Sequence, residues 1–179
     1  PFFERILKLR YSKAYKYFNI FKNDLENRSL HRLWGRNNPF YSVYDIGGYT
    51  FSLYKVVWKY LGELRGVSIS GKAVFSCAVL EPIVDKYLGV RIAIPNEKLM
   101  LIPLQNKDEA YYVSAVLNSS PVRLLVASYV IRTQISTHVI KNIKFQKFDF
   151  HNSKHIKLSK LSKKAHGITK RIYEEKRDY

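Results

Sequence analysis

The stretch Ala127 to Phe148, ASYVIRTQISTHVIKNIKFQKF, places Arg132, Thr133, Gln134, Ser136, Thr137 and His138 within seven residues, between a helix-like apolar run and a basic strand-like one. Arginine and glutamine are the types that read guanine and adenine edges bidentately, while the hydroxyls reach phosphates or add readout. Lys141 and Lys144 follow and add positive charge for a phosphate backbone. The stretch therefore has the chemistry of a base-reading loop, with a plain polar surface loop as the alternative. A second run, Tyr54 to Lys59, interleaves aromatics that can stack with lysines that neutralise phosphate. Lys55, Trp58 and Lys59 are its candidate DNA contacts; the other reading has Trp58 and Val56 in the core with Lys55 and Lys59 solvated.

Catalytic chemistry is harder to assemble. Asn37 to Tyr41 reads NNPFY, near the Asn-Pro-Pro-aromatic pattern with which amino-directed DNA methyltransferases hold a flipped base. The second proline is missing, and no glycine-rich cofactor loop precedes it. The plainer reading is a chain entry into a strand. Glu174 and Lys176 have the Glu-x-Lys spacing of a metal-dependent nuclease but lack an upstream acid, so a solvated helix face is expected. His151 and His155 stand four apart without an evident third zinc ligand and read as surface histidines. No catalytic and no metal-binding residue is expected in this stretch of chain.

These groups sit in 179 residues with 46% hydrophobic content, enough for a real core. Thirty-one Lys plus Arg against fourteen Asp plus Glu give a net charge of +17, which points to an anionic partner. The charge is concentrated at the ends: nine basic against three acidic residues in 1–40, and twelve against four in 141–179. No apolar run approaches the roughly 20 residues of a membrane-spanning helix, so no membrane partner is expected. Cys77, the single cysteine, lies in the apolar run AVFSCAVL, which excludes disulfide scaffolds and suits a reducing cytoplasm. The start at Pro1, already helix-like within a dozen residues, reads as a piece of something longer.

The spacing predicts amphipathic helices at both ends. Tyr11, Ala14, Phe18, Phe21 and Leu25 step by three and four, as do Leu158, Leu161, Ala165, Ile168 and Ile172. Two such seams could pair with one another, pair two copies of the chain, or simply cap the core. Between them, Phe40 to Tyr44, Phe51 to Trp58, SGKAVFSCAVL and GVRIAIPNEKLMLIPL read as strands. KDEAYYVSAVLNS and SSPVRLLVASYVI read as helices, the second opened by a serine cap and Pro121, and IKNIKFQKF returns to an extended pattern. The expected organisation is a basic amphipathic helical linker over 1–36, an α+β core over 37–150 and a basic helix over 151–179. The core is expected to be a mixed sheet with packed helices, flanked by long N- and C-terminal helices.

Several phrases taken together, NPFYSVYDIGGYTFSLYKVVW, EKLMLIPL, YYVSAVLNSSPVRLLV and TQISTHVIKNIKFQKFD, resemble the target-recognition region of adenine-specific DNA methyltransferases from restriction-modification systems. The resemblance runs from about Tyr15 to Ala165. It implies a specificity domain that reads duplex DNA, joined in its parent chain to an N-terminal methyltransferase domain that binds S-adenosylmethionine; the fragment itself needs no cofactor. It also places the segment from Arg132 to His138 and the run from Tyr54 to Lys59 at DNA. Independently of the resemblance, the charge of the terminal helices is expected to anchor phosphates, through Lys160 and Lys164 in the last of them. Other classes remain open at this stage: a helical scaffold that docks a partner protein, or a structured-RNA-binding module.

Overall fold

Tyr11 and Phe21 interrupt the N-terminal seam. Both leave helical geometry (φ −134°, ψ 53° and φ −102°, ψ 18°), with no side-chain cap at either break. Instead of one long helix the chain forms α1 (Phe2–Arg10), α2 (Ser12–Ile20), α3 (Lys22–Glu26) and α4 (Ser29–Trp34). Aromatic and asparagine residues, which are poor helix formers, fill α2. The computed structural model describes residues 2–35, 37–61, 75–129 and 134–176. It divides into two compact units, 1–47 and 48–179, so residues 37–47 fall in the first unit rather than in the core where the sequence reading put them.

Within the first unit, the Arg28 guanidinium donates to the carbonyls of Leu25, Phe40 and Ser42, each at 2.9 Å. Those bonds occupy acceptors that a strand ladder would use, and Phe40 to Tyr44 is accordingly irregular chain, not the strand expected. Gly35 sits against Tyr44 and His31 so closely that a Cβ would collide with both. His31 and Tyr44 are joined by a 2.7 Å hydrogen bond.

The second unit opens with a 3-10 turn, Gly48–Phe51, and then β1 (Tyr54–Lys59), whose β-branched and aromatic residues suit a central strand. β2 (Cys77–Leu80) follows, then a separate ribbon of β3 (Ile83–Asp85) and β4 (Gly89–Arg91), then β5 (Leu99–Leu104). The three-stranded sheet has the order β2-β1-β5 and is antiparallel throughout, not mixed. Registers Lys55↔Leu80 and Tyr54↔Leu104 place the start of β1 and the ends of β2 and β5 at one end of the sheet.

One sheet face is covered by helices α5 (Lys107–Leu117), α6 (Ser120–Tyr129) and α7 (Thr137–Lys141). Their buried residues Val113, Leu117, Val126, Val139 and Ile140 pack with Val56 and Trp58. Burial stabilises by about 1.5–3 kcal/mol for each such aliphatic chain. α5 is capped by Asn106, whose side chain accepts from the Glu109 N–H at 3.0 Å. Residues 140–148, expected to be extended, form no strand: Ile140 and Lys141 end α7 and the rest is irregular chain.

The last helix, α8 (Ser153–Glu175), is long, as expected, but it docks through a different face. Its Leu158, Leu161, Ala165, Ile168 and Ile172 seam is exposed, whereas His155, Ser159 and Ser162 are buried. Small polar side chains let α8 approach α5 closely, and Ser159 finds a specific partner there. Ser159 Oγ donates to Asp108, and Lys163 pairs with the same carboxylate. His166 Nε2 accepts the Val79 N–H at 2.9 Å while Nδ1 donates to the Ser162 carbonyl.

Two carboxylates tie this contact to pH. The hydrogen bond from Lys163 holds Asp108 below its ordinary 3.8, outweighing the opposing effect of burial. Burial works against ionised Glu81, but hydrogen bonds from Lys107 and Tyr111 outweigh it and hold the group below 4.5. Depressed folded-state values mean that this stabilisation is complete above the ordinary values and is lost as pH falls through the lowered ones. Thermal unfolding followed from neutral pH downward should therefore show the melting temperature falling only in acid. In Asp108→Asn that acid-dependent loss should be smaller, and an unchanged acid limb would remove Asp108 from the account.

Candidate nucleic-acid interface

The two lysines and the tryptophan of β1 divide three ways. Trp58 is 2% exposed and belongs to the core, so it cannot stack on a base. Lys55 is 1% exposed, with Nζ donating to the Ser52 carbonyl at 2.7 Å, and burial lowers its pKa; it is not available to phosphate. Both are corrections to the sequence reading. Lys55 and Trp58 lie on opposite faces of β1 and both are buried, where the sequence pattern anticipated one wet face. Lys59, at the far end of the strand, is exposed.

Trp58 matters to the candidate loop in another way. Its Nε1–H donates to the Ile135 carbonyl at 2.9 Å, and the Ile135 N–H donates to the Tyr60 carbonyl at 2.7 Å. Gln134 forms an antiparallel bridge with Leu61. The loop is thus fastened to the end of β1 by backbone bonds, while Ile135, Val139, Ile140 and Ile143 sink into the core. Between these anchors Gln134, His138, Lys141 and Lys144 are exposed, and Ser136 and Thr137 are half-buried. Arg132 and Thr133 lie outside the described residues.

α8 supplies the larger charged surface. At 100° per residue, Lys157, Lys160, Lys164 and Arg171 fall within a sector of about 60°, on the side away from His155, Ser159 and Ser162. All four are exposed, and none forms an ion pair among the described residues. Lys160 and Lys164 were expected here; Lys157 and Arg171 extend the row, and projecting the sequence from 153 to 175 at helical period would have found them. The row needs the docked face to be known, because the apolar seam suggested a different orientation.

The catalytic candidates lie elsewhere. Asn38, Pro39 and Phe40 line a cleft of about 370 Å³ in the first unit, with Glu4, Lys22, Glu26, His31 and Arg32. Phe40 is 4% exposed and packs its ring edge-on against Tyr15 and Tyr41, so it has no free face for a base. Asn38 Nδ2 donates to the Trp34 carbonyl. His155, expected at the surface, is buried: Nδ1 accepts the Asp149 N–H at 3.1 Å and Nε2 faces Gln146 Oε1 at 3.3 Å. Burial pushes the Cys77 thiol up to about 11, which keeps it protonated. No group of three or more possible metal ligands occurs among the described residues.

No family model, curated protein or solved structure matches this chain.

Trp58→Phe should leave the Ile135 carbonyl buried without its donor, a loss of about 1–3 kcal/mol. Hydrogen exchange resolved by residue should show the added opening concentrated at 134–143. Equal loosening across the whole second unit would mean that Trp58 is simply core.

Proposed function

We propose that the chain recognises duplex DNA as the specificity portion of an adenine DNA methyltransferase or restriction-modification enzyme. On this reading catalysis and S-adenosylmethionine binding belong to a methyltransferase domain of the parent chain. The observation that carries the DNA reading is the basic row of α8, four exposed cations in one sector of a helix whose opposite side is fixed to the core. A net charge of +17 supplies the long-range attraction. The exposed Gln134, His138, Lys141 and Lys144 supply base-reading and phosphate-binding types on a fastened loop. The assignment to adenine methylation rests on the resemblance of the sequence phrases alone.

Each phosphate contact contributes about 0.9 to the slope of log affinity against log salt on B-DNA. Lys160→Ala with Lys164→Ala should therefore weaken binding to every duplex and flatten that slope by roughly 2. A slope identical to wild type would take α8 out of the interface. Competition with structured RNA in the same titration separates the two polymers.

A second reading has a specific observation behind it. The Leu158, Leu161, Ile168 and Ile172 seam of α8 is exposed at heptad spacing, the form of a surface that takes another helix. If α8 is a protein-docking element, Leu161→Asp with Ile168→Asp should abolish an assembly visible by sedimentation and leave DNA affinity unchanged.

A further inference from the structure

The ribbon of β3 and β4 is uncovered on both sides. Val84 and Val90 form a cross-strand pair on one face, 81% and 70% exposed, and Ile83 opposite Arg91 is 56% exposed on the other. Tyr87 at the tip is 84% exposed. An isolated two-stranded ribbon is marginal in water, and exposed apolar surface of this kind marks a binding site. The tip is nonetheless shaped in advance. Asp85 Oδ1 accepts the N–H groups of Tyr87 (2.8 Å) and Leu88 (2.7 Å), and Gly89 takes the left-handed conformation (φ 69°) that closes the turn.

The root of the ribbon is tied to α8. Glu81 accepts from the Tyr111 hydroxyl at 2.7 Å and pairs with Lys107 at 2.8 Å; the neighbouring Asp108 holds Lys163, and His166 holds Val79. The root of the ribbon and the middle of α8 are therefore held at the same end of β2. The two acids of the ribbon region are engaged internally, Asp85 on backbone N–H groups and Glu81 on Lys107, while Lys86 and Arg91 stay exposed. Its outward charge is positive.

We propose that this ribbon enters the major groove of duplex DNA, where Val84 and Val90 on one face meet thymine methyl groups and Arg91 on the other face reaches a backbone phosphate. The inference rests on the DNA reading above. Two considerations favour a groove over a protein surface. B-DNA's major groove, about 12 Å wide, admits a two-stranded ribbon with one face on the base edges. The ribbon's outward charge, with Lys86 and Arg91 exposed, matches a polyanion.

The test uses the full 179-residue chain and a duplex selected from a randomised library, compared with the same duplex carrying deoxyuracil in place of every thymine. Deoxyuracil pairs identically and removes only the major-groove methyl. The swap should weaken wild-type binding about tenfold. Val84→Ser with Val90→Ser should bind the thymine duplex more weakly, be indifferent to the swap, and keep the wild-type salt slope. Equal wild-type affinity for the two duplexes overturns the inference, and so does a variant that still distinguishes them; in either case intact, salt-dependent binding leaves the DNA reading standing. No duplex binding at all brings both down. A wild-type oligomer that the variant cannot form would assign the ribbon to a protein partner and overturn the proposal as well.

Discussion

The open edge of β2 is the constraint around which the second unit is arranged. Cys77 and Val79 point their N–H groups away from β1, and such groups must be satisfied when covered. Side chains take the place of a further strand: Asn118 accepts from Cys77 N–H (3.0 Å) and donates to the Cys77 carbonyl (2.8 Å), and His166 accepts from Val79 N–H (2.9 Å). Asn118 lies just past the end of α5 and His166 in the middle of α8. Two helices are thereby fixed against one strand by directional bonds as well as by apolar burial.

This explains the unusual polarity of α8. A helix that must carry an imidazole to a strand edge, and a serine and a lysine to Asp108, turns its polar side inward. The leucine and isoleucine seam is then left at the flank and the lysine row on the far side. In the usual arrangement the apolar stripe faces the core. Here the docking depends on a handful of hydrogen bonds whose geometry sets the rotation of the helix, and that rotation decides which charges face solvent.

The sequence was legible where a single physical rule decided the outcome. The helical period that starts at Lys107, and Ser-Pro at the start of α6, marked helices that the structure contains. The α+β class followed from the switch of apolar period between Leu104 and Lys107. It was less legible where tertiary context overrode pattern. The seam of α8 obeys heptad spacing yet stays exposed, because the edge of β2 competed for the helix and no window along α8 contains that edge. One of the two readings of β1 put Trp58 in the core and Lys55 on a wet face; the first held, and the second failed because the face of β1 that carries Lys55 is covered there as well. Of the ribbon, β4 fell within the strand read from GVRIAI, whereas β3 was passed over because three residues carry too little alternation to register, although Asp85 and Gly89 were turn signals in plain view.

The burial of Cys77 has a practical side. The chain's only thiol is held protonated beneath α5, with Sγ facing Ser114 at 3.7–3.8 Å. Alkylating reagents and mild oxidants act on exposed thiolates and will find none here. The folded protein is chemically silent toward maleimides, so a cysteine introduced at any exposed position would be its single labelling site, with no native background to remove first.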